Sequence, residues 1–366
     1  MNIIDWWNNL NPLTKQEQEI LNTCLCHNEK EKTPKEVLFA QKYGISNVSK
    51  ESSKEDFEIL SMEYFNRMPF CNCNVASKDL SFEISATTFI NKLFETYVDD
   101  ETLVISSDSE HPNVKKQLNN SKNVLLLNHY TDIRGYNIEK VINESKKYKK
   151  TFVYIIGTRN DTGEITPQLF FEEMKKTFIE NNIDHTIVLD DVQGMFLVPR
   201  DYSMFDYVIG TAHAICTGFD MGIMISNEYL TGKKAYNWGS KYLESLDIIL
   251  KRQSKMNIFR DVLIQYYSRE LVDGKSLSQE LVVPYIFHMK TKQFNLSENL
   301  LNSLHHINLL ISNPTVSITN FIQLRSHWFI KDNTLLPKCI NIIDNILKGE
   351  YNEQHIMDII KGEING

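Results

Sequence analysis

The chain has 366 residues, a formal net charge of −8 and an isoelectric point near 5.7. Because this acidic balance includes no block of lysine or arginine, it argues against nucleic acid as the principal partner. The length exceeds what one small hydrophobic core requires, so we expect a large domain and a smaller one.

The N-terminal residues and the cysteines indicate the compartment. The chain does not start with a basic segment followed by an apolar one, and no run of about 18 apolar residues occurs. The six cysteines, without a secretory signal, indicate reduced thiols, and the C-x-C pairs at residues 24–26 and 71–73 are more tightly spaced than zinc ligands usually are. We therefore expect a soluble, cytoplasmic protein that binds neither a membrane nor a metal.

Residues 1–60 are polar-rich and have a helical pattern. Thr14, with Glu17 three residues later, forms a capping box that predicts the start of a helix. This segment precedes the first clear strand signal, so it stands apart from the sheet that the rest of the sequence predicts.

From about residue 80, short apolar runs alternate with helical stretches. Strands are predicted at residues 103–105, 124–127, 152–156, 186–189, 207–209 and 223–225, with helices at 89–97, 138–149 and 169–181. Strands and helices in this alternation need crossover connections, which predicts an α/β fold with a mainly parallel sheet.

After residue 234 the strand signal weakens. The sequence then predicts long helices over residues 236–267, short strands at 282–287 and 318–324, and a closing helix at 335–347. We interpret this part as a smaller α+β domain.

The predicted strand at residues 186–189 is apolar or β-branched throughout, as a strand buried on both faces of a parallel sheet should be. It ends at Asp190. An acid at the carboxyl end of such a strand points into the crevice where open α/β sheets bind ligands. Asp190 is therefore a candidate site residue, although the acid taken alone is better explained as a helix cap or a solvated turn acid.

Other polar residues follow strands in the same way. Ser85, Ala86 and Thr87 form a turn before a predicted helix, where free N–H groups favour an anion. His111 follows the strand at residues 103–105, and Asn160 follows the strand at residues 152–156. Each of these signals is weak taken singly.

Taken in order, these segments resemble the fold type I enzymes that depend on pyridoxal 5′-phosphate (PLP). Residues 190–193, DDVQ, are similar to the D-x-x-Q signature of those enzymes, and residues 211–214, TAHA, are similar to their S/T-x-H-K turn. Three further segments are similar to motifs of the class V aminotransferase and cysteine desulfurase group: residues 110–111 (EH), 159–165 (RNDTGEI) and 325–326 (RS). The resemblance covers roughly residues 82–225 and Arg325.

The resemblance implies a fold and a division of the chain. It implies a fold type I transferase with a mainly parallel seven-stranded sheet in a large domain plus a smaller α+β domain. We expect residues 61–235 to form the large PLP-binding domain and residues 236–366 to form the small one. Residues 1–60 would pack on the small domain or on a dimer partner.

The resemblance also implies a role for each site residue. The phosphate of PLP would be held by Ser85, Ala86, Thr87, Thr211 and His213. His111 and Val192 would lie on opposite faces of the pyridine ring, Asp190 would bind the ring nitrogen, and Asn160 and Gln193 would bind the 3′ oxygen. Arg325, with Asn160, would bind the substrate, Arg325 through the planar fork that suits a carboxylate.

Two departures from the family pattern limit the inferred function. Ala214 occupies the position of the lysine that forms the imine with PLP, and residues 313–320 contain no cysteine. The second departure argues against cysteine desulfurase activity, because that group carries its sulfur-accepting cysteine there.

Three functions follow from these residues. We expect a class V aminotransferase-like enzyme that binds an amino acid or keto acid, acts at the α-carbon through an external aldimine and forms a homodimer. Ala214 would then be an engineered replacement that halts turnover. The alternative is a natural lysine-less pseudoenzyme that binds PLP or an aldimine. A lysine-free dehydratase of the sugar-modifying kind is less favoured, since those enzymes place histidine at this position.

Overall fold

The computed structural model describes residues 14–16, 79–83, 85–159, 163–195, 198, 200–211, 222–227, 230, 286–290, 300, 309–311, 321–325, 335–348 and 352–361. These residues belong to two compact units. The larger unit holds a seven-stranded sheet, and the other holds a three-stranded sheet and two helices.

The seven-stranded sheet is mainly parallel. Its strands are β1 (Asp79–Glu83), β2 (Thr102–Ser107), β3 (Asn123–Leu127), β4 (Lys150–Ile156), β5 (His185–Asp190), β6 (Tyr207–Thr211) and β7 (Gly222–Ser226). They lie in the order β1-β7-β6-β5-β4-β2-β3, and β7 is antiparallel to both of its neighbours while the other pairs are parallel. This arrangement confirms the predicted α/β fold with a seven-stranded sheet.

Four helices accompany this sheet: α1 (Ala86–Tyr97), α2 (Pro112–Asn120), α3 (Ile138–Ser145) and α4 (Gln168–Glu180). A π-helical turn spans His129–Ile133, and a 3₁₀ turn spans Tyr202–Met204. Helix α2 was not predicted, because its sequence PNVKKQLNN buries only Val114 and Leu118 and has little apolar periodicity. It begins with Pro112, whose fixed φ suits the first helical position.

The strands at the centre of the sheet are buried on both faces. Every residue of β2, β6 and β7 is buried, and so is every residue of β4 except Lys150. This burial explains their continuous apolar sequences. One face is covered by α1 and α2, whose apolar side chains form a single cluster with inward residues of β2 and β4–β7.

The register brings the carboxyl ends of the strands to one edge. Asp190 pairs with Ile156 on one side and with Ile209 on the other, and Thr211 pairs with Gly222. Because paired residues share a face and side chains alternate along a strand, Asp190 and Thr211 lie on the α1 side of the sheet. That edge is where the candidate site forms.

In the second unit, β10 (Phe321–Arg325) lies between β8 (Ile286–Lys290) and β9 (Leu309–Ile311), antiparallel to both. Helices α5 (Leu335–Lys348) and α6 (Glu353–Lys361) contact each other.

Sequence and structure agree best in the large unit. Each of its six predicted strands is present and is longer than predicted by one to three residues. In the second unit, strand β8 shares only residues 286 and 287 with the strand predicted there, and β9 and α6 were not predicted. Lys15 and Gln16 are helical, as the capping box at Thr14 predicts, whereas the helices predicted over residues 236–267 lie outside the described residues.

Candidate functional site

Asp190 is the last residue of β5 and its side chain is held on both oxygens. The Tyr154 hydroxyl donates to Oδ2 at 2.8 Å, and the Val192 backbone N–H donates to Oδ1 at 3.2 Å. The residue is only 3% exposed. The carboxyl group is therefore fixed in orientation before any ligand binds.

Asp190 is a buried acid with an altered pKa. Burial raises the pKa of Asp190 to about 6, against the opposing effects of the hydrogen bonds from Tyr154 and the Val192 amide. Among the residues that the structure describes, no lysine, arginine or histidine forms an ion pair with it. An ionised Asp190 would therefore be stabilised by a cation from a ligand.

Glu110 is a second buried acid at this edge, and sequence reasoning did not identify it. Its Oε1 accepts a hydrogen bond of 2.9 Å from the N–H of Ile156, the residue that pairs with Asp190. Burial and the neighbouring Asp190 carboxylate raise the pKa of Glu110 well above its usual range. Its charged form is therefore disfavoured at this edge, and its place directly before His111 was the available sequence signal.

Asp191, next to Asp190, has a different environment. Its Oδ1 lies 3.4 Å from Nε of Arg200, and its Oδ2 accepts a hydrogen bond from the Tyr202 hydroxyl. Arg200 also donates to the carbonyl oxygens of Gly157 and Thr166, which links the loops after β4 and β5. This internal ion pair was not predicted.

The loop that follows Asp190 is also packed. A Cβ at Gly194 would lie 2.3 Å from Oδ1 of Asp191, so only glycine fits there. Val192 packs against the apolar cluster beneath α1, and Gln193 is buried. The backbone carbonyl of Asp191 accepts hydrogen bonds from the N–H groups of Gly194 and Met195, which closes this turn.

The turn that was predicted to bind phosphate lies at the N-terminus of α1. Ser85 is the N-cap, but its side chain makes no capping hydrogen bond and the first turn contains no acidic residue. A Cβ at Gly222 would lie 2.5 Å from the carbonyl group of Ser85 and 2.6 Å from N of Ala86. Since Gly222 pairs with Thr211, the turn and Thr211 are close neighbours.

His111 is the N-cap of α2, and its exposed ring accepts a hydrogen bond at Nδ1 from the Asn113 N–H, 3.3 Å away. This bond leaves the proton of the neutral imidazole on Nε2. The Asn113 side chain reaches in the other direction, where Nδ2 donates to Oγ1 of Thr87 at 2.7 Å. The residues predicted to hold the ring and the phosphate are therefore linked.

Charged residues also gather around Arg159 and Glu164. Glu164 is buried and receives hydrogen bonds of 3.0 Å from Tyr130 and Arg134. Nε of Arg159 lies 3.8 Å from the same carboxylate, and the Arg159 N–H donates to the Glu164 carbonyl oxygen at 2.9 Å. These contacts join Arg159 and Glu164 through both their backbones and their side chains.

Several predicted site residues cannot be placed. Asn160, His213 and Ala214 lie outside the described residues. Arg325 is the last residue of β10, and there the structure describes only the backbone.

In the described part of the chain, no helix is long and apolar enough to span a membrane. In the same residues, no three or more His, Cys, Asp or Glu side chains are grouped as metal ligands.

The sequence matches no protein-family model and no curated protein. Its fold, in contrast, matches many solved structures. A NifS-like protein from Rickettsia africae is 14% identical with a TM-score of 0.61, and the match covers 97% of this chain and 98% of that one. A PLP-dependent aminotransferase from Streptococcus suis is 13% identical with a TM-score of 0.62, over 96% of this chain and 98% of that one.

A third structure of the same fold is the histidinol-phosphate aminotransferase from Clostridium acetobutylicum. It is 14% identical with a TM-score of 0.58, and the match covers 93% of this chain and 98% of that one. At such identities the likeness establishes the fold alone. The chain has the fold of the fold type I PLP-dependent transferases.

Proposed function

We propose that this protein binds PLP at the carboxyl ends of β4, β5 and β6 and that its scaffold serves a reaction at the α-carbon of an amino acid, as in class V aminotransferases. The observation that carries the proposal is Asp190, a buried and oriented carboxylate with no cationic partner among the described residues. A protonated pyridine nitrogen has the charge and the N–H donor that this carboxylate lacks.

The residues around Asp190 fit the rest of the cofactor. We assign the phosphate to the α1 N-terminus at Ser85, Ala86 and Thr87, together with Thr211, since a helix N-terminus without an acidic first turn favours an anion. His111 and Val192 would lie on the two faces of the ring. In the unplaced segments, His213 would add a phosphate donor, and Asn160 would bind the 3′ oxygen with the help of Gln193.

The two buried acids would divide their roles. When bound, PLP supplies the electron sink for bonds at the substrate α-carbon. Asp190 would accept the pyridine N–H and keep that nitrogen protonated, while burial disfavours a second negative charge on Glu110. Tyr154 would hold the Asp190 carboxylate in place through its hydroxyl.

The chain as it stands lacks the amine that fold type I enzymes use for imine formation and proton transfer. Strand β6 ends at Thr211 and β7 begins at Gly222, and residues 212–221 between them contain no lysine. The sequence has no lysine anywhere between Lys176 and Lys233. We propose that Ala214 is the replaced lysine and that its absence prevents turnover.

The same absence supports a second candidate, a natural pseudoenzyme that binds the cofactor without turnover. The variant Ala214→Lys distinguishes the inactivated enzyme from the pseudoenzyme, because only the enzyme should regain turnover. Reduction of that variant with borohydride in the presence of PLP, followed by mass spectrometry, reports whether residue 214 forms the imine. An adduct with restored transamination supports the enzyme, an adduct without turnover supports the pseudoenzyme, and no adduct means that the lysine position lies elsewhere.

Two further assignments complete the proposal. Arg325 would bind a substrate carboxylate, so Arg325→Lys should weaken amino acid binding and leave cofactor binding intact, because lysine lacks the planar fork. Equal loss of both would indicate a structural role. The protein would be a homodimer whose large domain comprises residues 61–235, and light scattering at micromolar concentration tests the dimer directly.

A further inference from the structure

Asn113 uses its backbone and its side chain for two different connections. Its N–H donates to Nδ1 of His111, and its Nδ2 donates to Oγ1 of Thr87. Thr87 belongs to the first turn of α1, and His111 caps α2. A single asparagine therefore joins two helix N-termini that come from different strand-helix units.

We propose that Asn113 is a positioning residue of the cofactor site. Its side chain fixes the Thr87 hydroxyl towards the phosphate, while its backbone N–H, which the variants below retain, holds the His111 ring. This inference rests on the proposed function. The geometry gives Thr87 a definite role, because the amide N–H occupies a lone pair of Oγ1. The hydroxyl hydrogen of Thr87 then remains available for an anion.

A second hydrogen bond between the same helices provides a comparison. One turn further along, Nε2 of Gln117 donates to Oδ1 of Asn91 at 2.8 Å, with the same separation in sequence as the Asn113–Thr87 pair. The repeated offset means that α1 and α2 run side by side in the same direction. Gln117 thus makes the same kind of contact, also partly buried, farther from the helix N-termini.

The test uses pyridoxamine 5′-phosphate and pyridoxamine as probes. Neither carries an aldehyde, so neither reacts with surface lysines, and the difference between them isolates the phosphate. For Asn113→Ala we expect the Kd for pyridoxamine 5′-phosphate to rise about 5- to 10-fold, as loss of one hydrogen bond predicts, and the Kd for pyridoxamine to change by less than about 2-fold.

Two more variants separate the hydrogen bond that Asn113 donates to Thr87 from the packing of the Asn113 side chain. Asn113→Asp has the same shape but cannot donate, and it places a negative charge beside the phosphate, so we expect a loss of about 50-fold or more for pyridoxamine 5′-phosphate. Thr87→Val removes the acceptor and the hydroxyl donor together. Adding Asn113→Ala to Thr87→Val should then cause less than about 2-fold further loss, because the two residues act as a unit.

Gln117→Ala is the matched control. It removes the equivalent α1–α2 hydrogen bond, and we expect it to lower the melting temperature by as much as Asn113→Ala does while the Kd for each probe stays within about 2-fold of the parent. Equal effects of Asn113→Ala and Gln117→Ala on binding would overturn the inference while leaving the proposed function standing. A parent protein that binds neither probe would overturn both.

Discussion

Gly222 lies directly against Ser85. A Cβ at residue 222 would approach both the carbonyl carbon and the carbonyl oxygen of Ser85 to 2.5 Å, a separation that real Cβ atoms do not adopt. The contact joins β7 to the turn before α1, so the position of the proposed phosphate site depends on the absence of one methyl group.

The first prediction is that Gly222→Ala displaces this turn. We expect the free energy of unfolding to fall by about 1–3 kcal/mol, as overpacking predicts, and pyridoxamine 5′-phosphate binding to weaken more than pyridoxamine binding. Gly210→Ala in the adjacent strand is the control, because its nearest obstacle is the flexible end of Met195. Urea titration and binding measurements on both variants check the prediction, which fails if the two behave alike.

The second prediction concerns the stability of the cofactor-free protein. The pKa of Asp190 rises from an ordinary value of 3.8 to about 6 on folding, mainly through burial, so the folded state favours the protonated acid. The free energy of unfolding should therefore fall as the pH rises from about 4 to about 6 and level off above. At pH 7, Asp190→Asn should stabilise the cofactor-free protein by on the order of 1–2 kcal/mol.

Binding by the same variant should change in the opposite direction. The carboxylate form of Asp190 is the one that accepts a protonated pyridine nitrogen, so affinity for pyridoxamine 5′-phosphate should be lost as the pH falls through about 6. Asp190→Asn should bind more weakly and show no such transition. The exposed Asp100 provides a control, since Asp100→Asn should keep the parent profile. A parent profile that is flat between pH 5 and 7 would contradict the assignment.

The third prediction is that Tyr154 sets the pH at which binding is lost. The Tyr154 hydroxyl donates to Asp190 and lowers its pKa against the effect of burial. Tyr154→Phe should therefore move the binding midpoint to higher pH, by about one unit. Tyr207 is also fully buried and shares a hydrogen bond with Tyr97, so Tyr207→Phe is the matched variant and should leave the midpoint in place.

The fourth prediction tests the ion pair beneath the site. Arg200→Ala would leave the buried Asp191 carboxylate without its cation and the carbonyl groups of Gly157 and Thr166 without their donor. We expect the free energy of unfolding to fall by about 3–5 kcal/mol. Asp191→Asn in the same background removes the uncompensated charge and should recover part of that loss. If the double variant is no more stable than Arg200→Ala, Arg200 contributes through packing rather than through charge.

The sequence predicts the strands, and the position of Asp190 at the end of a buried strand, because both depend on local pattern. Continuous β-branched runs indicate buried parallel strands, and an acid that ends such a run lies at the crevice. Glu110, Asn113 and Arg200 were missed because their roles depend on partners far along the chain. No periodicity reveals that Glu110 accepts from the Ile156 amide.

The order of the strands in the sheet has a consequence for synthesis of the protein. Among the strands that the structure describes, β1 comes first in the chain, yet it pairs with β7, the last strand of its sheet to be made. Until residues 222–226 have emerged, β1 lacks its pairing with β7, and the turn at Ser85 lacks its contact with Gly222. Anion binding at that turn is therefore a late event in cotranslational folding, and a nascent chain truncated before Gly222 should not retain the cofactor.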